Sequence, residues 1–152
     1  MKKVVYCGQF MDLSGYGIAA RKYLEILDLV ASKNSIELKA YISLSPFAPP
    51  DLSTFSPKEQ KLIEKYCFNS NADIDEFIKD NDYECIWHMP TAMALFADEK
   101  FPTPKNISEP ALLKIITSAK RNHHLVVWET TDISTEWKEC LEWIKPHSII
   151  TA

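Results

Sequence analysis

The sequence predicts an α/β fold: one Rossmann-like domain over residues 1–152, built on a doubly wound parallel sheet of about five strands. Three observations carry that prediction. Short apolar or β-branched runs alternate with stretches of helical periodicity along the whole chain. Strand, helix and strand follow one another from Val4 to Ile42, an order that requires a right-handed crossover between parallel strands. The run from His124 to Trp128 is almost continuously apolar, the pattern of a strand buried on both faces.

Taken in order, the first strand is Val4-Val5-Tyr6, a β-branched start. A loop follows that holds all three glycines of the chain, Gly8, Gly15 and Gly17. The first helix spans about Gly17 to Ser32. Its apolar stripe is Ala20, Tyr23, Leu24, Leu27, Val30 and Ala31, with Arg21, Glu25 and Asp28 on the opposite face. Asp12 and Ser14, short and polar, stand just upstream as caps or loop-lining groups. The second strand, Ile36 to Ile42, alternates apolar residues on one face.

Residues 43–56, rich in proline and serine, read as a surface loop. Helices are expected from Pro57 to about Phe68 and from Asp73 to about Lys79, and a short edge strand hidden in this region stays open. The third strand runs from about Glu84 to Trp87 and is ended by His88-Met89-Pro90. After a long loop come a helix from about Pro110 to Ala119, the fourth strand at 124–128, a helix from about Thr135 to Ile144, and a last strand beginning at Ser148.

Composition narrows the class. Hydrophobic content of 46% and charged content of 25% suit a globular protein with a real core. A net charge of −4 gives a nucleic-acid partner no electrostatic support. No apolar run approaches a membrane span, and the start of the chain reads as a strand rather than a signal peptide; peripheral membrane contact stays open. Cys7, Cys67, Cys85 and Cys140 stand far apart with no CxxC pair, for which a reduced, cytoplasmic compartment is the simplest account.

The expected strand order is 2-1-3-4-5, with the switch point between strands one and three, where ligands of such sheets bind. That order gathers Gly15, Gly17, His88 and Glu129 on one rim, though they are scattered along the chain. A glycine loop opening a helix is a ready anion site, because free N–H groups and the helix dipole point into it. Gly15 to Ala20 also matches GxGxxA, but the strand-to-glycine spacing is too long for the dinucleotide fingerprint and no acid ends the second strand. His123 and His124 are adjacent, so on a strand they face opposite ways and make no metal pair.

The stretch Asp12-Leu13-Ser14-Gly15-Tyr16-Gly17-Ile18-Ala19-Ala20-Arg21 resembles the N-terminal glycine loop of group 1, retaining glycosyltransferases of the GT-B fold. Trp128-Glu129-Thr130 followed by Trp137 resembles a second landmark of some bacterial members, and 148–152 the strand before their interdomain linker. The resemblance runs the whole chain in order. It implies the acceptor-side half of an enzyme that moves a sugar from a nucleotide-sugar donor to a glycan or other hydroxyl acceptor, with retention. It implies that the C-terminal donor domain lies outside this sequence, leaving this chain alone inactive, and that the reaction needs neither metal nor cofactor.

By the same resemblance Gly15, Tyr16 and Gly17 reach the donor phosphate, with Asp12, Ser14 and Arg21 on the loop and acceptor side. Glu129 or His88 is the catalytic group that positions the acceptor hydroxyl or the sugar; many members carry a histidine at the position matched to Glu129, so that choice stays open. Weak self-association is expected through Phe10, Met11, Met93, Phe96 and the aromatic groups around Trp128. The alternative is a stand-alone flavodoxin-like binding or interaction domain without catalysis.

Overall fold

The structure, a computed structural model, describes residues 1–43, 51–88, 109–126 and 135–151. Its elements are β1 (Lys2–Gly8), α1 (Gly15–Asn34), β2 (Ile36–Ile42), a single 3-10 turn (Leu52–Thr54), α2 (Pro57–Tyr66), α3 (Asn71–Ile78), β3 (Glu84–His88), α4 (Glu109–Ser118), β4 (Arg121–Val126), α5 (Thr135–Ile144) and β5 (Ser148–Thr151). The five strands form one all-parallel sheet in the order β2-β1-β3-β4-β5. This is the doubly wound arrangement expected, with its switch point between β1 and β3.

Strand alternation sorts the core into two layers. Val4, Tyr6, Leu38 and Ala40 face α1 and α2, where Ala20, Leu24, Ile63 and Tyr66 close over them. Val5, Cys7, Cys85 and Trp87 face the other way, against Ile74, Phe77, Leu112, Ile115 and Ile144 of α3, α4 and α5. Both faces of β1 and β3 are therefore buried, which is why these strands carry apolar residues at successive positions. Truncating one of the wholly buried aliphatic side chains, Leu24 or Ile115, removes about 2–5 kcal/mol.

Several boundaries differ from the sequence reading. α1 starts at Gly15 and runs on to Asn34, where Ser35 in left-handed conformation ends it by donating its N–H to the Ala31 carbonyl. β4 starts at Arg121, three residues before its apolar run, because Arg121, Asn122 and His123 pair in register with Glu84, Cys85 and Ile86. Residues 127–128 of the expected fourth strand lie outside the described residues. α2 opens on a capping box between Ser56 and Glu59 with Pro57 in its first turn.

The face of α1 that carries Arg21, Glu25 and Asp28 forms a seam with α2. Arg21 pairs with Glu59 at 2.9 Å, Glu25 with Lys58, and Asp28 with Lys65 at 2.8 Å and with the Tyr66 hydroxyl. The hidden edge strand left open by the sequence is a single bridge: Cys67 lies parallel to Ala40, and Phe68 donates its N–H to the Ala40 carbonyl at 3.0 Å. It covers the outer side of β2. At the other edge Ile149 and Ile150 of β5 are 48% and 46% exposed. Among the described residues no helix is long and apolar enough to cross a membrane.

Candidate functional site at the carboxyl rim

β1 and β3 end side by side, with Gly8 opposite His88 in their ladder. From Gly8 the chain turns out of the sheet and back into α1. Asp12 donates its N–H to the Gln9 carbonyl at 2.9 Å, closing the first turn. Its carboxylate accepts the Ser14 N–H at 2.5 Å, closing the second. Ser14 is the N-cap residue in extended conformation, but its side chain makes no capping bond. The Asp12 carboxylate thus shapes the turn just before the helix, by bonding the N–H of the N-cap residue itself.

Arg21 fixes this loop from inside the fold. Its Nη1 donates to the carbonyls of Phe10 at 2.7 Å and Asp12 at 2.8 Å, and its Nε donates to Glu59. The guanidinium lies 4.4 Å from the centre of the Phe55 ring. The Glu59 carboxyl is held below the usual range by the Ser56 hydroxyl and then by the Ser56 N–H and Arg21, so the pair stays ionised. Arg21 is 6% exposed and Asp12 3%. Both were read as loop or acceptor-side contacts; they are the frame of the loop.

The glycines divide by what surrounds them. None has a positive φ, so none is needed for backbone conformation. A Cβ on Gly17 would lie 1.8 Å from the Asp12 carbonyl oxygen. The close approach at Gly17, expected to come from a ligand, therefore comes from the chain itself. A Cβ on Gly8 would press on Ala20 at 3.3 Å. Around Gly15 there is nothing within 4 Å, and the residue is exposed at the first position of α1. The first turn of α1 contains no acidic residue of its own, and the Asp12 carboxylate bonds the N–H of its N-cap, Ser14.

His88 stands at this rim, 2% exposed. Its Nδ1 shares a hydrogen bond of 2.9 Å with the Tyr6 hydroxyl. Tyr6, Tyr16 and Tyr23 surround the imidazole, with ring centres 6.4, 6.1 and 5.5 Å away. Nε2 is buried and has no hydrogen-bond partner among the described residues. Burial lowers the imidazole pKa from 6.5 to about 4, so the ring is neutral at pH 7. Desolvation, with the nearby Tyr23 and Cys7, pushes the Tyr6 phenol far above its ordinary value. Ser43, one residue past β2, adds another buried polar atom without a partner among the described residues, its Oγ, while its N–H bonds the Gly8 carbonyl at 2.9 Å.

Of the three loop residues expected at the donor phosphate, the structure places Tyr16 beside His88, with Gly15 and Gly17 flanking it in the first turn of α1. Glu129 lies outside the described residues, as do Met93, Phe96 and Trp128. Phe10 and Met11, expected on an exposed docking surface, are buried at 0% and 5%, because Phe10 packs edge-on against Tyr6. Tyr6 and Tyr23 were missed as site residues. The sequence signal for Tyr6 is its register: it pairs with Ile86, two residues before His88, and so shares the His88 face of the sheet. Compared with protein-family models, with curated proteins and with solved structures, the chain gives no match.

Proposed function

We propose that residues 1–152 form the acceptor-side half of a retaining glycosyltransferase, which moves a sugar from a nucleotide donor to a hydroxyl acceptor. One observation carries the reading. The amino end of α1 and His88, whose buried Nε2 has no partner among the described residues, come together at the β1–β3 switch point, where the Tyr16 ring lies 6.1 Å from the imidazole. The amides at Gly15 to Gly17 would hold the leaving diphosphate, aided by the helix dipole. Asp12, Ser14 and Arg21 keep that loop in place. Glu129 enters as a second candidate at the acceptor on the resemblance alone. The larger share of the sugar nucleotide would rest on a second domain outside these residues. Buried thiols at Cys7, Cys67 and Cys85 support a reducing, cytoplasmic setting.

The test is an amide-shift titration of the 152-residue chain with UDP-glucose, alongside an assay for sugar transfer. Shifts confined to Gly15–Gly17 and His88, weak affinity of about a millimolar, and no turnover are expected. Turnover by this chain alone, submicromolar binding, or shifts elsewhere would overturn the reading. A second reading has its own observation: the order 2-1-3-4-5 is that of flavodoxin-like binding domains, which hold flavin mononucleotide at the same switch point. Flavin mononucleotide run in the same titration decides between them.

A further inference from the structure

Counting hydrogens at the Tyr6–His88 pair gives a result that burial alone does not. A phenol has one proton to donate, and a neutral imidazole has one N–H and one bare nitrogen. The two residues share a single bond of 2.9 Å, through Nδ1. If Nδ1 carried the imidazole proton, it would donate to the Tyr6 oxygen. The Tyr6 proton and the bare Nε2 would then both be buried without a partner among the described residues. If Tyr6 donates to Nδ1, only Nε2–H is left unmatched. One orphan is cheaper than two, because each buried group left without a bond keeps its full desolvation cost. The phenol is also kept protonated by its burial, so it always has a proton to give.

We propose that Tyr6 fixes His88 as an uncharged donor whose Nε2–H binds an oxygen of the ligand at the switch point. The ring is held on three sides, with Tyr6 nearly parallel to it at 24°, Tyr23 edge-on at 87° and Tyr16 tilted at 53°. Among the described residues, burial is what lowers its basicity. A nitrogen that already carries a proton does not act as a general base. His88 therefore positions an oxygen, either of a phosphate or of a sugar hydroxyl, and any proton acceptance in catalysis falls to another group. This rests on the proposed function for the identity of the ligand, but not for the state of the ring.

The test is long-range 1H–15N NMR of the imidazole in the full 152-residue chain, which reports the tautomer directly. The expected spectrum is one neutral ring protonated at Nε2, unchanged from pH 8 to pH 5. A proton at Nδ1, or a charged ring at pH 7, overturns the proposal. In Tyr6→Phe the lock is removed, and a mixture of the two tautomers is expected; an unchanged Nε2–H spectrum would show that Tyr6 does not set it.

Three probes then separate the oxygens: UDP-glucose, inorganic phosphate and glucose. A shift of the Nε2 resonance with phosphate assigns a phosphate oxygen, and one with glucose alone a hydroxyl. His88→Gln, which keeps a donor, should bind the effective probe within about threefold of the native chain, and His88→Phe about tenfold more weakly. A response at Gly15–Gly17 without one at Nε2 overturns this role and spares the proposed function. A response at Nε2 to phosphate or glucose but none to UDP-glucose does the reverse. No response of Nε2 to any probe overturns the ligand role and leaves a structural pair.

Discussion

At the amino rim of the sheet, where β1, β3 and β4 begin, charges are many and matched at the surface. Lys2 meets Glu84 at 3.2 Å, Lys3 meets Asp80 at 3.3 Å and Lys120 meets Asp82 at 2.9 Å, all with substantial exposure. A groove of about 350 Å³ lies there, lined by Lys2, Tyr83, Glu84 and Arg121 among others. Among the described residues of the carboxyl rim, the charged Asp12 and Arg21 are buried and hold the loop. Among the described residues, buried polar atoms without a partner are fewer at the amino rim, with Asn122 Oδ1, than at the carboxyl rim, with Trp87 Nε1, His88 Nε2 and Ser43 Oγ. Concavity with solvated ion pairs is what any lysine-rich surface provides. A buried polar atom lacking a bond is unstable by itself, and its presence calls for a partner.

The comparison predicts that single changes act far more strongly at the carboxyl rim. The largest effect is Arg21→Ala. It removes two carbonyl bonds, an ion pair and the contact with Phe55 together, and should destabilise by about 4 kcal/mol in thermal or urea unfolding. Arg21→Lys should recover only part, because an ammonium cannot span both carbonyls and Glu59 in the same plane. A loss below about 1 kcal/mol for Arg21→Ala would show that the loop does not depend on it.

Next comes pH. Unfolded, His88 takes up a proton below its ordinary pKa of 6.5; folded, only below about 4. Between those values the unfolded chain binds more protons, so stability falls as pH falls through that window and is fully present above it. The loss on reaching pH 4 is about 3 kcal/mol. Subtracting the pH profile of His88→Gln from that of the native chain isolates this contribution. Parallel profiles would mean that His88 is as easily protonated folded as unfolded.

Gly17→Ala should destabilise by about 2 kcal/mol, since its Cβ must displace the Asp12 backbone, whereas Gly15→Ala should be neutral or stabilising by up to about 1 kcal/mol. Melting temperatures of the two variants, measured together, settle the contrast, and equal shifts would contradict it. In the titration with UDP-glucose, Gly15→Ala is then the informative variant, because its effect on binding is not confounded with folding. The smallest effect belongs to the other rim: Lys120→Ala should change stability by less than about 0.5 kcal/mol, and a larger loss would erase the distinction drawn between the rims.

The sheet order was legible because alternation, crossover handedness and the apolar fourth run are all local signals that agree. The approach of Tyr16 to His88 followed from it, since α1 opens from the loop after β1, whose last residue, Gly8, pairs with His88. Arg21 was misplaced for a physical reason. Helical periodicity puts it beside, not opposite, the core stripe, and only the arrival of Glu59, 38 residues later, makes that side a buried seam. Gly17 was read as room for a ligand because a pattern shows that space is required, never what fills it. Tyr6 reads as an ordinary strand residue, and its partner stands 82 residues away.

The two edges of the sheet carry a last consequence. Along β2 the chain's own Cys67 and Phe68 cover the outer backbone, so a foreign strand finds Ala40 already bonded. Along β5 the described residues place no such guard, and Ile149 and Ile150 offer apolar surface on both of its faces. Misassembly by strand addition therefore has a direction: it begins at β5 and not at β2. In concentrated preparations the remedy follows from the same asymmetry, a lysine at position 150 deterring aggregation while the switch-point rim, three strands away at β1, is left untouched.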